Sequence, residues 1–487
     1  LLHIQSKISQ GLIGVLAAII FGWISYRYLP GISPEKVAVA AVAFAIGLLF
    51  LALYRQFFWQ GLSLPHFLLS LMIAASFIGS NLFIISAGPV TIFPFRIFLV
   101  AVTFVIFGRW LGNAFDWRGH FNIPYVYLFF FFWITFGLLA LSWAPELVDG
   151  IKDVIFLITG IMVIFLITYI FKKERNYLEF FVIWVVMAFL LIGIGLVNHF
   201  LQIHLPGSRI YHGPTYQQGI PTAVFVNEND YASFLGITVF FFVSMIKNGR
   251  RMIYQILGLA GSLLSVYLIL ITESRANYIG VFLAAVFWFI FLLRSRVKII
   301  LVFCGAFFIP PLVYLKFDLV KKGFGFLMVQ LDSLLTAEQN QHNSVDIREN
   351  LLRNIRVFLE NTSGLGVGPG NIEYYMKNYP VYETFHNYNP HNWWAEILIH
   401  YGFFVLIGYI LSLIYLFFTL YRIWKVQVAQ GQSLISEALL CALIAFTFAS
   451  ISPNSFMTLN YNWILIAFVV GYTNFHIKKL NARGGPK

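Results

Sequence analysis

Across 487 residues the chain is 60% hydrophobic and 11% charged, with a mean hydropathy of +0.80. A soluble domain carries about 25% charged residues, so this composition excludes a soluble globular protein and defines an all-α polytopic membrane protein; the ten-residue alternation of an outer-membrane barrel is not present in the sequence. The net charge of +12 does not read as a nucleic-acid surface, because Lys and Arg gather in short loops at alternate ends of the apolar segments.

In chain order, apolar runs long enough to cross a hydrocarbon core of about 30 Å fall near residues 8–29, 37–54, 66–86, 91–108, 121–142, 151–171, 178–201, 230–246, 252–271, 276–293, 298–315, 393–420, 434–451 and 457–475. About 12–14 transmembrane helices are expected, the lower number applying if a pair near the N-terminus or after residue 250 is re-entrant. The first run lacks a small-residue cleavage site and reads as a retained helix. Cys304 and Cys441 lie inside apolar runs, as small hydrophobic filler does.

One set of loops holds Lys7, Arg55, Arg109, Arg118, the "KKER" run with Lys172, Lys173 and Arg175, then Lys247, Arg250, Arg251, Arg294, Arg296, Lys298, Arg422 and Lys425, and the tail. The short loops of the other set carry Lys36, Lys152, Arg209 and Arg275. This bias places both termini in the cytoplasm. The chain then divides into a helix bundle over 1–315 with an outer loop at 202–229, a large extracytoplasmic loop over 316–390, and C-terminal transmembrane helices over 391–487.

The outer segments hold the polar chemistry. In 202–229, Arg209, Tyr211 and His212 are expected to contact substrate, while Glu228 and Asp230 of "VNENDY" either cap the following span or form an acidic pair for a divalent cation. Arg275, in "ITESRANYIG", sits in a junction so short that its guanidinium must lie at the outer interface. It either snorkels or pairs with Glu273, or it clamps an anion, since guanidinium matches phosphate oxygens bidentately.

"NSVDIRENLLRNIRVFLEN" places Ile347, Leu351, Ile355 and Phe358 at helical spacing, which predicts an amphipathic helix lying on the outer face. Arg353 follows Glu349 by four residues and Arg356 precedes Glu360 by four, both at ion-pair spacing. Arg348 has no carboxylate at either such offset, which leaves it a solvated loop cation or one available to a ligand. "SGLGVGPGN" reads as a glycine-punctuated turn.

The last polar stretch is "NYNPHNWWAEILIHYG". Here Asn389 is expected to cap a helix with Pro390 in its first position, which puts His391 in the first turn. The positive end of the helix favours a neutral imidazole, able to accept a proton from a hydroxyl. Asn392 and Glu396 share a face, while Trp393 and Trp394 read as interfacial anchors, with sugar stacking as the alternative. HExxH, Gly-x-Ser-x-Gly, P-loop and dinucleotide patterns are absent from the sequence, and no metal site is legible.

Taken in order, "FVNENDYASFL", "TESRANYIG", "DIRENLLRN" with "GLGVGPGN", and His391–Asn392 followed after nine residues by Gly402 resemble the motifs of the O-antigen ligase and polymerase superfamily of membrane glycosyltransferases. The form "PHNWW", the aromatic richness and the loop lengths are most similar to the teichuronic acid polymerases of Gram-positive envelopes. The resemblance implies a polyprenol-dependent glycosyltransferase-like architecture in a bacterial cell membrane, with an extracytoplasmic active site. It implies inverting, metal-independent transfer of a glycan from undecaprenyl diphosphate to an acceptor glycan hydroxyl, with no cofactor. By motif, His391 would activate the acceptor, and Arg275 and Arg348 would bind the leaving diphosphate. Arg353, Asn392, Glu396 and Trp394 would be further substrate contacts, and membrane lipid, a flippase or a chain-length regulator further partners. An O-antigen-type ligase would use the same constellation. A transporter and a non-catalytic assembly component are the rivals from other classes; transporters place polar groups at the bilayer midplane in repeated halves, and no repeat shows here.

Overall fold

The computed structural model of the protein describes residues 63–79, 81, 85–87, 90–112, 119–300, 302–303, 344–451 and 457–483. The expected spans at 8–29 and 37–54, most of that at 298–315, the loop before residue 344 and Cys304 lie outside these residues. Proline opens α1 (Leu64–Ser76), α2 (Pro94–Leu111) and α3 (Pro124–Ala140), in first-turn positions whose N–H has no helical partner to lose. There follow α4 (Leu147–Ile170), α5 (Glu174–Leu201), α6 (Glu228–Asn248), α7 (Met252–Ile271) and α8 (Arg275–Phe287), the last continued by a π-turn to Leu292. After the large loop's first half come α9 (Ser344–Asn361), α10 (Ile372–Asn378), α11 (Trp393–Ala429), α12 (Leu434–Ala449) and α13 (Asn460–Arg483).

Among the described residues, 8 helices are long and apolar enough to cross a membrane, so the protein is a helical, multi-pass membrane protein. One expected span is corrected. The run at 66–86 does not continue as a helix; α1 stops after 13 residues, about 20 Å, and the chain turns at Gly79 with φ +68°. A short antiparallel hairpin follows, β1 (Ile85–Ala87) against β2 (Val90–Ile92). The run is apolar enough to span, but Gly79 breaks it, and Asn81 donates to Val224 O at 3.1 Å instead.

α13 is the axis of the bundle, packed against α4 and α11, with Ile464 through Val470 at most 1% exposed. α6 lies between α7 and α12, and α8 packs on α12. In lipid, helices associate through close packing and hydrogen bonds rather than apolar transfer. A ring cluster of Trp133, Trp393, Tyr409 and Trp463 supplies the first, with centroids 5.6–6.4 Å apart. Buried polar pairs supply the second: His66 and Ser70 hold Glu179, and Lys247 and Trp288 hold Glu437. Phe104, Phe131, Leu263 and Phe404 face outward as a lipid-exposed surface. Cys441 is buried in α12, as expected of filler.

The loop at 202–229 is folded onto the end of α5. Asn198 accepts from the Thr222 and Ala223 N–H groups at 3.2 and 2.7 Å, and His204 Nε2 donates to Gln218 O at 2.7 Å.

Candidate active site

α9 meets the periodicity read from its sequence. Leu351, Ile355 and Phe358 are buried, and with Leu359 they pack on Val367, Ile372 and Met376 and on Ala395 and Ile399 of α11. The apolar face is therefore seated on protein. On the exposed flank, Arg353 Nη2 meets Glu349 Oε1 at 2.5 Å and Arg356 Nε meets Glu360 Oε1 at 3.0 Å, as the four-residue spacing predicts. Such exposed pairs contribute a few tenths of a kcal/mol. Arg353 also lies 5.6 Å from the Tyr382 ring centroid and stays half exposed. Arg353→Ala is expected to lower stability by less than about 1 kcal/mol, measured by thermal unfolding.

The glycine turn is the least replaceable part of this end. Gly364, Gly366, Gly368 and Gly370 all have positive φ. The turn lies against a break in α11 at Gly402, whose φ of 77° and ψ of −177° interrupt the helix. A regular helix would bond Phe403 N–H to Ile399 O. Here Phe403 N–H donates to Gly364 O at 3.0 Å, and Ile399 O accepts from Val367 N–H at 2.7 Å. Two bonds between loop and helix stand at the break. A Cβ on Gly366 would lie 2.7 Å from Ile399 O, so the two backbones touch directly. Asn371, fully buried, secures the far side of the turn, accepting from Glu146 N–H at 2.7 Å and donating to Pro369 O at 2.7 Å.

The start of α11 corrects the expected cap. α11 begins at Trp393, and Asn392 is its N-cap, its Oδ1 accepting from Trp394 and Ala395 N–H at 3.0 and 3.3 Å. Asn389 instead accepts from His391 N–H at 2.8 Å, a two-residue turn of the kind Asn side chains favour. His391 therefore precedes the helix, in the left-handed region at φ 48°, and is half-buried. The cap role of Asn392 leaves its amide oxygen committed to α11. Glu396 is buried at 4% exposure rather than turned to solvent.

The anchor reading is corrected for Trp393, while Trp394 stays partly exposed. Trp393 is 1% exposed inside the ring cluster, and Trp394 Nε1 donates to Thr447 O at 3.0 Å. Aromatic packing between helices outweighs the interfacial preference here.

The end of α12 joins the elements that carry the expected catalytic residues. Trp393 N–H donates to Ser450 O at 3.0 Å. Gly280 of α8 lies so close to α12 that a Cβ there would be 2.8 Å from Ala445 O. Arg275 opens α8 after Ser274, with Glu273 in the left-handed region at φ 56°. Arg348, at the start of α9, lies within reach of the Arg275 charge. Its pKa is lowered from the ordinary arginine value, first by desolvation and second by Arg275. Arg348 is exposed to solvent. No carboxylate among the described residues pairs with it. Arginine stays cationic under such shifts. The structure thus gathers His391, Arg275 and Arg348 at one end of the bundle.

The remaining expected residues lie on the loop at 202–229. Arg209 Nε donates to Glu228 Oε2 at 2.6 Å, with a second contact from Nη2 to Oε1, and this pairing raises its pKa. The pair holds Arg209 and Glu228 together, and the Arg209 side chain stays half exposed. The cap of α6 is Asn227, which accepts from Asp230 N–H at 2.9 Å. Tyr211 is half-buried and its ring meets exposed His212 edge-on at 4.7 Å. Among the described residues no three His, Cys, Asp or Glu side chains are grouped to hold a metal.

Sequence reasoning passed over Asp153 of α4. Its carboxylate accepts from the Tyr401 hydroxyl at 2.5 Å and lies 3.7 Å from His400 Nδ1, tying α4 to the turn of α11 just before the break. An ionisable residue inside an apolar span is the signal that marks it.

Comparison with known proteins agrees with this architecture. Residues 260–410, which include Arg275, Arg348, His391 and Gly402, match the family described as O-antigen ligase. Over 468 residues the chain is 33% identical to the teichuronic acid biosynthesis protein TuaE of Bacillus subtilis (strain 168), covering 95% of each chain. The chain belongs to the O-antigen ligase family.

Proposed function

We propose that the protein is a cell-surface glycosyltransferase that transfers a glycan from an undecaprenyl-diphosphate carrier to an acceptor glycan hydroxyl, extending a polysaccharide. The observation that carries this reading is the placement of Arg275 at the start of α8 and Arg348 at the start of α9, at the end of the bundle where His391 precedes α11. Two cations at one end of the bundle suit a diphosphate, which presents oxygens on both sides. The acceptor oxygen attacks the anomeric carbon as the carbon–oxygen bond to phosphate breaks. The diphosphate leaves with the bonding electrons, and the acceptor proton passes to His391. Negative charge grows on the leaving group, so fixed cations bind the transition state more strongly than the ground state. Direct displacement inverts the anomeric centre, and the two arginines supply the positive charge that a metal would otherwise bring.

The site end faces outward in this reading, because Lys172, Lys173, Arg175, Arg250 and Arg251 all lie at the opposite end. The similarity to a teichuronic acid biosynthesis protein favours polymerisation; the family description favours ligation as the second reading.

Purified protein supplied with a defined undecaprenyl-diphosphate glycan tests the reading: a ladder of products marks a polymerase, one addition to a distinct acceptor marks a ligase, and no turnover in either assay removes the proposal. His391→Ala is expected to slow transfer by about 10²–10⁴-fold without lowering the thermal unfolding midpoint. Turnover is also expected to be unchanged in excess EDTA; loss of activity restored by Mg²⁺ or Mn²⁺ would return a metal to the mechanism.

A further inference from the structure

A cavity of about 350 Å³ lies at the end of the bundle opposite His391. α4 begins beside the glycine turn and its 24 residues rise about 36 Å, which puts Lys172, just past its end, on the other face of the membrane. The walls are the connection at 119–122, Phe171 and Lys172 after α4, and Asn474, Phe475 and Lys478 of α13. The connection is fixed to α13: Asn122 N–H donates to Asn474 Oδ1 at 2.6 Å, and Asn474 Nδ2 donates to His120 O at 2.6 Å.

Both lysines are turned into this space. The Lys478 ammonium lies over Gly119, whose φ is +73° and where a Cβ would be 3.2 Å from Nζ. The Lys172 ammonium lies 5.1 Å from the Tyr169 ring centroid, held there by the π-face. Neither pairs with a carboxylate among the described residues; at this end Glu179 serves His66 and Ser70, and Glu437 serves Lys247 and Trp288. A cavity with two ammonium groups, amides fixed on its floor and the rings of Phe171 and Phe475 in its wall matches an anion that carries an apolar part.

We propose that this cavity binds a phosphate group, and that the phosphate belongs to the headgroup of an anionic phospholipid of the adjoining leaflet. Each lysine near a membrane surface is worth roughly fivefold in binding an anionic lipid. The site is independent of the transfer chemistry at the other end.

The test is native mass spectrometry of protein released from nanodiscs of phosphatidylcholine with or without phosphatidylglycerol, run beside titration with inorganic phosphate. Wild type is expected to retain phosphatidylglycerol and not phosphatidylcholine. Lys172→Ala with Lys478→Ala is expected to weaken retention by more than about tenfold, while Lys172→Arg with Lys478→Arg keeps it, which separates lost binding from lost fold. Equal retention of the two lipids, or equal retention by wild type and the alanine pair, overturns the proposal. Inorganic phosphate bound with the same lysine dependence, and no lipid retained, overturns the lipid and leaves a free-phosphate site.

Discussion

Replacing Arg348 or Arg275 with alanine is expected to lower turnover of an undecaprenyl-diphosphate glycan by about 10²–10³-fold, the usual effect of removing one preorganised donor to a developing negative charge. The two residues act on one leaving group, so the double variant should lose less than the product of the single losses. Lysine at either position keeps the charge but loses the two-pronged fit to phosphate oxygens, and should recover only part of the rate. Arg348→Ala carries little structural risk, because its charge is desolvated and repelled by Arg275 rather than paired. Single-turnover rates and unfolding midpoints measured together decide the matter. Rates within threefold of wild type in both single variants would remove the arginines from the mechanism.

Gly402→Ala is expected to cost about 1–3 kcal/mol in backbone strain and to abolish most activity, although Gly402 touches no proposed reactant. Its φ of 77° is open to glycine, and an alanine Cβ would lie 2.7 Å from the Leu365 carbonyl carbon. The loop must then withdraw, and the bonds Phe403–Gly364 and Val367–Ile399 part together. Because α9 rests on this turn through Val367 and Ile399, Arg348 is displaced as a consequence. Gly366→Ala meets the same contact from the other side and should produce the same defect. Once either variant has separated the surfaces, the second adds little, so the pair should be strongly non-additive in unfolding midpoint. Simple additivity would show that turn and break are independent.

Most of this fold is legible in the sequence because membrane spans declare themselves by length and apolarity. The run at 252–271 coincides with α7, and the apolar spacing in "NSVDIRENLLRNIRVFLEN" gives the buried face of α9 and both of its ion pairs. Misreadings arise where a local signal competes with a tertiary one. The sequence points to Asn389 as the cap, and packing of Trp393 against Trp133 and Trp463 starts the helix later, with Asn392 as its cap. The same packing buries a tryptophan that composition alone assigns to the interface. Arg209 looked available because Glu228 lies 19 residues away, beyond any local rule. The positions of Arg275, Arg348 and His391 at one end were inferable from topology, but their mutual arrangement depends on the turn at 364–370, whose partner is a break in a helix about 30 residues further on.

The exchange of hydrogen bonds at Gly402 also dictates an order of assembly. A segment entering lipid must satisfy its own backbone, because an unsatisfied peptide group in hydrocarbon is severely penalised. While residues 364–367 are elsewhere, α11 is most stable as an unbroken helix with Phe403 bonded to Ile399. The break can form only when the loop arrives to accept one group and donate to the other. The mature site end is therefore completed after insertion, as a late docking event, and until then the chain is a membrane protein with its helices in place and no site.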